Sequence, residues 1–421
     1  MSVFDELVGQ EAAIEELLRA AVAARETHAD STAEGTGAET ELADNSSAMT
    51  HAWLFTGPPG SGRSLAAKTF AAALECTGPV PGCGQCPQCK AVMGNNHPDV
   101  TFVSTDLVTI KADEVRAYVA QSYVAPVEGA YRVFIVEDAD RMLPRTTNVL
   151  LKAIEEPAPR TVWILCTVAA ADVLPTIRSR CRNINLVTPS PQAVAELLVR
   201  RDGVPPELAL VAAQAAQSHI GVARALATDP AAAALRRTTL RALTEIHSVG
   251  EAVLTAQLLV DPEKMYMDSQ GSHNPGEGAG EEAAAVHNAP SAADLIEAEQ
   301  HRRMEELGLD PNGRVPAAVK SQVATDAHNV KRRQTRLHRD MLDRELIYIE
   351  GFFRDVLVRQ LGAEVPVINA DFAEEIEQRA QLSTAEETIA TMDTLAVARR
   401  RLRSNVAPVL ALEAALVQLV R

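Results

Sequence analysis

A glycine-rich segment near the start of this chain is almost a phosphate-binding loop: Gly57-Pro58-Pro59-Gly60-Ser61-Gly62-Arg63-Ser64. The pattern G-x-x-x-x-G-K-[ST] requires lysine where this chain has Arg63. The apolar run Ala52–Thr56 before the segment predicts a buried strand, and Ser64–Ala72 after it predicts a helix whose first N–H groups face an anion. Strand, turn and helix in this order predict a P-loop α/β domain. The alternative is a Gly/Pro turn without any phosphate function.

Arg63 bears on the chemistry of the loop rather than on its fold. Lysine offers a compact ammonium that reaches between the β- and γ-phosphates, whereas the guanidinium is a wider planar fork. The positive charge is kept, but its shape does not suit a tight cradle. The predicted phosphate-binding residues are Gly57, Gly60, Gly62, Arg63 and Ser64.

An acidic pair follows the apolar run Val133–Val136, where a P-loop ATPase carries Asp for the Mg²⁺ shell and then Glu for the attacking water. Here the order is reversed, as Glu137-Asp138. Because a misplacement of about 1 Å can cost roughly a hundredfold in rate, the reversal and Arg63 together predict a site that does not hydrolyse ATP. ATP and Mg²⁺ binding stay open. The alternative is a pair of acids that only end a buried strand.

Four of the six cysteines, Cys76, Cys83, Cys86 and Cys89, are spaced C-x6-C-x2-C-x2-C. Four thiolates suit tetrahedral Zn²⁺, and the intervening glycines and prolines allow tight turns. We therefore predict a structural zinc module over residues 76–97, with redox or inert thiols as the alternative. Cys76 is the least secure ligand because it is farthest from the others, and His97 is its substitute.

The remaining pattern predicts an α/β region followed by helices. Further strands are expected at Val100–Val103, Arg132–Val136, Thr161–Thr167 and Asn183–Leu186, and intervening helices imply a mainly parallel sheet. The predicted domains are 1–187 (P-loop domain), 188–245 (helical lid) and 246–421 (helical collar). Segments 27–50 and 268–290 are predicted to be disordered insertions, because they cannot bury enough apolar surface to become ordered. An apolar helical stripe predicts core at Leu342, Leu346, Ile349, Phe353 and Val356.

Composition limits the function classes. The net charge is −16, which opposes an autonomous nucleic-acid binder. No run is long and apolar enough for a membrane helix, and no secretion signal is recognisable, so a cytoplasmic location is expected.

Three arginine features could serve phosphates. Arg180, in Ser179-Arg180-Cys181, is predicted on a turn at the sheet's edge, where it could reach the phosphate of another subunit, and its alternative is a surface salt bridge. Arg224 is a weaker candidate in a helical stretch. The basic run from Lys331 to Arg339 is read mainly as a solvated helix face, with contact to DNA as its alternative.

These pieces resemble the AAA+ subunits of the bacterial clamp loader, which places the sliding clamp on primed DNA for DNA polymerase III. The resemblance rests on Val8-Gly9-Gln10, the phosphate loop, the four cysteines, the acidic pair, the run Asn148-Val149-Leu150-Leu151-Lys152-Ala153-Ile154-Glu155-Glu156-Pro157 and Ser179-Arg180-Cys181. It covers about residues 1–260 well and the C-terminal part more weakly.

The resemblance implies a place among the delta-prime subunits rather than the gamma/tau ATPases, since the latter carry an unbroken loop and Asp-Glu. It implies a non-catalytic stator in a hetero-oligomer with gamma/tau and delta subunits, acting on primed DNA within the complex and on the clamp indirectly. Arg180 would then act as an arginine finger for a neighbour. The degenerate nucleotide site implied comprises the loop residues named above with Glu137, Asp138, Thr167 and Arg224.

The sequence leaves two other functions open. An active, gamma/tau-like ATPase would use Arg63 in place of lysine. A zinc-dependent DNA-binding module would use the cysteines, and the charge of −16 opposes it.

Overall fold

The computed structural model describes residues 2–32, 48–103, 110–260, 320–403 and 406–420. The chain forms two compact units: Met1–Pro206 with Ser218–Gly221, and Glu207–Gln217 with Val222–Arg421. The predicted division into three domains stays a prediction, because the two units do not divide the predicted lid (188–245) from the predicted collar (246–421).

The first unit is built on a five-stranded sheet in which every neighbouring pair is parallel, in the order β2-β3-β4-β1-β5. The strands are β1 (Ala52–Thr56), β2 (Val100–Val103), β3 (Arg132–Val136), β4 (Thr161–Thr167) and β5 (Arg182–Asn185). The predicted parallel sheet is confirmed, and only the last strand lies one residue earlier than expected.

The described part of the first unit contains seven α-helices. They are α1 (Glu11–Thr32), α2 (Arg63–Leu74), α3 (Pro87–Met93), α4 (Ala112–Ser122), α5 (Pro144–Glu155), α6 (Pro175–Arg178) and α7 (Pro191–Asp202). Four of them begin with proline, whose fixed φ suits the first helical position and whose missing N–H would have no partner there. At α7 the Ser190 Oγ also accepts the N–H of Ala193 at 3.1 Å.

The core lies on both faces of the sheet, as expected for a parallel sheet covered by helices. On one face Trp53 packs edge-on against Phe70 of α2, with ring centroids 4.9 Å apart. On the other face Phe134 and Trp163 stack at 4.4 Å. The strands β1, β3 and β4 are buried along their whole length, so the sheet is a rigid base for the loops at its edges.

The described secondary structure of the second unit is helical, and strands are absent from it. Its helices are α8 (Pro206–Ala215), α9 (Ile220–Thr228), α10 (Pro230–Thr244), α11 (Val249–Val260), α12 (Lys320–Gln360), α13 (Ala373–Leu382), α14 (Ala385–Arg403) and α15 (Pro408–Leu416). The predicted apolar stripe on α12 is confirmed as core, since all five of its members are at most 3% exposed.

Several sequence predictions fall at the margins of the described residues. Helix α1 continues to Thr32, six residues into the predicted first insertion, and residues 33–47 lie outside the described parts. All of 268–290 lies outside them too. The run from Lys331 to Arg339 lies on α12, but the side chains of 331–337 are outside the description, so its contact with DNA stays a prediction. Among the described helices, none combines the length and apolar character needed to cross a membrane.

Candidate nucleotide site and metal centre

The phosphate loop and the acidic pair lie at one edge of the sheet. Strand β4 lies between β1 and β3, with Thr56 opposite Thr167 and Val136 opposite Leu165. Because parallel strands all end at the same edge, the loop after β1, Thr167 and the acids after β3 come together there. This edge is where open α/β sheets bind their ligands.

The loop has the backbone that a phosphate cradle needs. Gly60 and Gly62 have φ of +83° and +87°, a conformation that side chains other than glycine rarely adopt. A Cβ on Gly60 would also lie only 2.6 Å from the Cα and the Cγ of His219. His219, which belongs to the same unit, was not predicted from the sequence, because nothing in its local pattern points to the loop.

Arg63 is turned back onto its own loop. It is the first residue of α2, and its Nη1 donates a hydrogen bond to the carbonyl oxygen of Gly57. The guanidinium therefore bridges the two ends of the loop. Ser64 follows on the exposed first turn of α2, and the buried Ser61 Oγ has no hydrogen-bond partner in the described structure.

The backbone fixes where the reversed acidic pair lies. The Glu137 N–H donates to the Val103 carbonyl at 2.9 Å, which extends the β2–β3 pairing by one residue. Asp138 has φ of +50°, and its Oδ2 lies 3.3 Å from Nε of Arg141. Thr167 donates through Oγ1 to Oδ1 of Asp140 at 3.4 Å, so the next acid along the chain contacts Thr167. Sequence reasoning did not assign Asp140.

A second cation, Lys68, lies on α2 and interacts electrostatically with Glu137. Burial lowers the pKa of Lys68, while the charges of Glu137 and Glu6 raise it. Its ammonium lies 5.6 Å from the ring centroid of Phe102 on β2. Lys68 was also missed from the sequence, because it stands outside the phosphate-loop pattern.

Arg180 lies in the turn after α6 and makes an ion pair with its own chain. Its Nη2 is 2.8 Å from Oε1 of Glu155 at the end of α5, and its Nη1 donates to the Thr176 carbonyl at 2.8 Å. The side chain is still 41% exposed. Both the predicted surface salt bridge and an outward-reaching arginine are compatible with this geometry. Arg224 lies on α9 in the second unit, and its contact with nucleotide stays a prediction.

The four predicted cysteines converge. Their sulfur atoms all lie within 4.8 Å of one another, and the sulfurs of Cys76 and Cys86 are 3.9 Å apart. A tetrahedron with Zn–S bonds of about 2.3 Å has S···S edges of about 3.8 Å, so the donor set fits one zinc ion. Burial raises the pKa of the Cys86 thiol, but hydrogen bonds from the backbone of Cys89 and Thr77 outweigh it and bring the pKa to about 6.

Cys76 belongs to this cluster and His97 does not. The buried His97 accepts the N–H of Asp99 through Nδ1 at 3.1 Å, which fixes the ring away from the cysteines' donor set. The loop that carries Cys76 is held by Arg25 of α1, which donates to the carbonyls of Cys76 at 2.7 Å and Gly78 at 2.9 Å. Arg25 was not predicted from the sequence.

The strand order, the phosphate loop after β1 and the acidic pair after β3 define a P-loop protein of the AAA+ class. Family models described as "DNA polymerase III, delta subunit" and "DNA polymerase III, delta subunit, C terminal" match residues 39–190 and 323–421. The chain belongs to the DNA polymerase III clamp-loader subunit family, which confirms the resemblance seen in the sequence.

Individual relatives come from both branches of this family. Subunit delta' of Bacillus subtilis is 32% identical over 158 residues, which are 37% of this chain and 48% of the relative. Subunit gamma/tau of Mycobacterium bovis is 35% identical over 155 residues, 36% of this chain and 27% of the relative. The chain thus spans less than half the length of these curated relatives. A gamma subunit-related protein of Thermotoga maritima has a TM-score of 0.39 at 18% identity, covering 86% of this chain and 92% of that one.

Proposed function

We propose that this chain is a delta-prime-type subunit of a cytoplasmic clamp loader, which assembles with gamma/tau and delta subunits and helps them load the sliding clamp on primed DNA. In this proposal the chain does not hydrolyse ATP itself. It supplies Arg180 to the nucleotide site of a neighbouring gamma/tau subunit.

The observation that carries the proposal is the contact between Arg63 and the Gly57 carbonyl. A cation bonded to the loop's own backbone is less available to a γ-phosphate, and the guanidinium would have to leave that bond to serve one. The acids add to this, because the shorter carboxylate, Asp138, stands in the position of the glutamate that orients water and lies beside Arg141.

The purified chain alone is expected to show negligible steady-state ATP turnover. Titration with a fluorescent ATP analogue, beside turnover with and without gamma/tau, separates binding from hydrolysis. Arg63→Lys is expected to leave turnover negligible, since the acidic pair stays reversed. Brisk turnover by the lone chain that Arg63→Ala abolishes would instead establish an active ATPase of the gamma/tau kind, which the otherwise intact loop favours as the second candidate.

The cysteine cluster is proposed to hold one structural zinc ion. Elemental analysis of freshly purified protein is expected to find about one zinc per chain, because the four sulfurs fill the coordination sphere. Cys86→Ser is expected to lose most of this zinc. Cys166→Ala is the control, since Cys166 is buried on β4 outside the cluster and its loss leaves the four ligands intact. Absence of zinc from the wild-type protein would contradict the assignment.

A further inference from the structure

The residues before α1 form a short, well-anchored strap that we call the N-terminal segment, Ser2–Gln10. Its centre is a single 3₁₀ turn, Val3–Glu6. Ser2 caps this turn, since its Oγ accepts the Phe4 N–H at 3.2 Å while its own N–H donates to Asp5 at 2.9 Å. The turn is also tied to α7, where Arg200 donates to the Asp5 carbonyl at 2.8 Å. The segment is therefore a defined structure rather than a loose tail.

One end of the N-terminal segment rests on the cysteine module. The Val3 N–H and the Ser2 Oγ both donate to the carbonyl of Gly82, at 2.9 and 3.2 Å. A Cβ on Gly82 would lie 2.9 Å from ring carbon Cε2 of Phe4. Phe4 itself is 4% exposed, so it has no room to move aside cheaply. The backbone of the module at Gly82 thus sets where Phe4 lies.

The other end holds the phosphate loop. Gln10 is 3% exposed, and its Nε2 donates to the carbonyls of Ser61 at 3.3 Å and Val187 at 2.7 Å. Its Oε1 accepts the Val187 N–H at 3.0 Å. Leu7 approaches the same loop, with its Cδ2 3.4 Å from where a Cβ on Gly62 would be. Gln10 therefore binds the phosphate loop at Ser61, and Leu7 lies beside the next loop residue, Gly62.

Helix α2 makes a second connection between the same two places. The phosphate loop lies at its start, and Cys76 follows two residues after its end. Cys89 packs on its side, with Sγ 3.4 Å from the carbonyl of Ala72. The loop is thus framed by two elements, α2 and the N-terminal segment, that both end on the cysteine module.

We propose that the metal-loaded cysteine module sets the shape of the phosphate loop through the N-terminal segment, with Phe4 and Gln10 as the positioning residues. The proposal rests on the zinc assigned above and goes beyond it, because it gives the module an effect on the nucleotide site. When the metal is lost, the backbone around Gly82 becomes free to move and no longer packs against Phe4. The contacts that Leu7 and Gln10 make with the phosphate loop then weaken.

The test is hydrogen–deuterium exchange of the peptide covering 57–64 in the full chain, with and without a zinc chelator. Removing the metal is expected to speed exchange in this peptide about fivefold to tenfold, the effect of losing about one hydrogen bond's stabilisation. Gly82→Ala is expected to do the same with the metal in place, because the new Cβ displaces Phe4. Peptides from β3 serve as the internal reference and are expected to stay unchanged.

Matched variants distinguish an effect transmitted from the cysteine module to the phosphate loop from a general loss of stability. Gly203→Ala is the control for backbone strain, since Gly203 has a similar φ of +68° but no atom within 4 Å of the new Cβ. It is expected to leave the 57–64 peptide unchanged. Gln10→Met removes all three side-chain hydrogen bonds and is expected to loosen the loop so far that chelation adds little more. Gln10→Glu keeps the acceptor for the Val187 N–H but turns a carboxylate oxygen toward the Ser61 and Val187 carbonyls, so it is expected to loosen the loop at least as much as Gln10→Met.

The outcomes divide cleanly. If Gly82→Ala loosens the loop and Gly203→Ala does not, the mechanical link stands. If both act alike, or if chelation and Gln10→Met are fully additive, the link through the N-terminal segment is overturned. A protein without metal would show no response to chelation in any variant, which overturns the zinc assignment while Gly82→Ala still decides the link.

Discussion

Arg180→Ala is expected to lower ATP hydrolysis at the neighbouring gamma/tau site of the reconstituted clamp loader by about a thousandfold or more, the range measured for arginine fingers supplied in trans. The lone chain is expected to fold and to assemble as before, because the Arg180 side chain is 41% exposed and fills no core position. The measurement is single-turnover hydrolysis in loaders that contain the variant, with clamp loading on primed DNA followed in parallel.

The contacts of Arg180 explain why its side chain is ordered at the surface and can still bind a partner's phosphate. Arg180 follows α6, a helix of four residues, and hydrogen bonds to Thr176 and Glu155 hold its guanidinium at the surface. An exposed ion pair of this kind contributes at most about 1 kcal/mol, so a partner's phosphate can outcompete Glu155. Arg180→Lys is expected to recover little, since an ammonium cannot reproduce the planar fork.

Arg178→Ala is the matched control, since Arg178 is an exposed arginine at the end of α6, two residues before Arg180. It is expected to leave hydrolysis within about twofold of wild type, as surface substitutions away from a site do. Equal loss in both variants would indicate damage to the turn. Undiminished hydrolysis with Arg180→Ala would remove the finger assignment and leave Arg180 as the surface salt bridge that the sequence also allowed.

The parts of the site that depend on local sequence were predictable. The strand before the loop, the helix after it and the converging cysteines all follow from residue type and spacing over short stretches. Cys76 was the doubtful ligand because six residues separate it from Cys83, yet its sulfur joins the cluster. The chain closes that gap because Arg25, far away in sequence, binds the carbonyls of the intervening turn.

The contacts that position the site were not predictable, because they join residues far apart in the chain. Gln10 was noted in the motif Val8-Gly9-Gln10, but nothing local shows that its amide binds Ser61 and Val187. Asp99 is another case: it is fully buried and accepts the N–H groups of Val127, Glu128 and Gly129. Aspartate in a polar stretch predicts exposure, and only the tertiary fold supplies the donors that satisfy it.

Glu345 shows the same difficulty in the second unit and leads to the other large expected effect. It follows Leu342 by three residues on α12 and so lies within the apolar stripe, where it is 2% exposed. Neither of its carboxylate oxygens has a hydrogen-bond partner in the described structure. Burial raises the pKa of Glu345 to about 8, and the nearby charge of Arg344 offsets only part of this rise.

Glu345→Met is expected to stabilise the second unit by a few kcal/mol at pH 8 and above, because each unit of pKa shift corresponds to about 1.4 kcal/mol. The sign follows from the raised pKa of the folded state. Between about pH 4.5 and pH 8 the folded carboxyl keeps its proton while the unfolded one ionises, so wild-type stability falls as pH rises through this window. Glu345→Met is expected to remove that fall. Scanning calorimetry from pH 5 to pH 9, following the transition of the second unit, measures both effects.

Glu350→Met is the control with the opposite sign. Glu350 lies on the same helix but accepts a hydrogen bond from Arg399 at 2.8 Å, so its carboxylate is already compensated. Removing it leaves Arg399 with only Asp343 as partner among these acids and is expected to destabilise the unit by about 1 kcal/mol. Glu350 is 20% exposed, so the contrast sets a buried carboxylate without donors against a partly exposed carboxylate with a donor on the same helix. A Glu345→Met protein with unchanged pH dependence would show that donors reach Glu345 in solution.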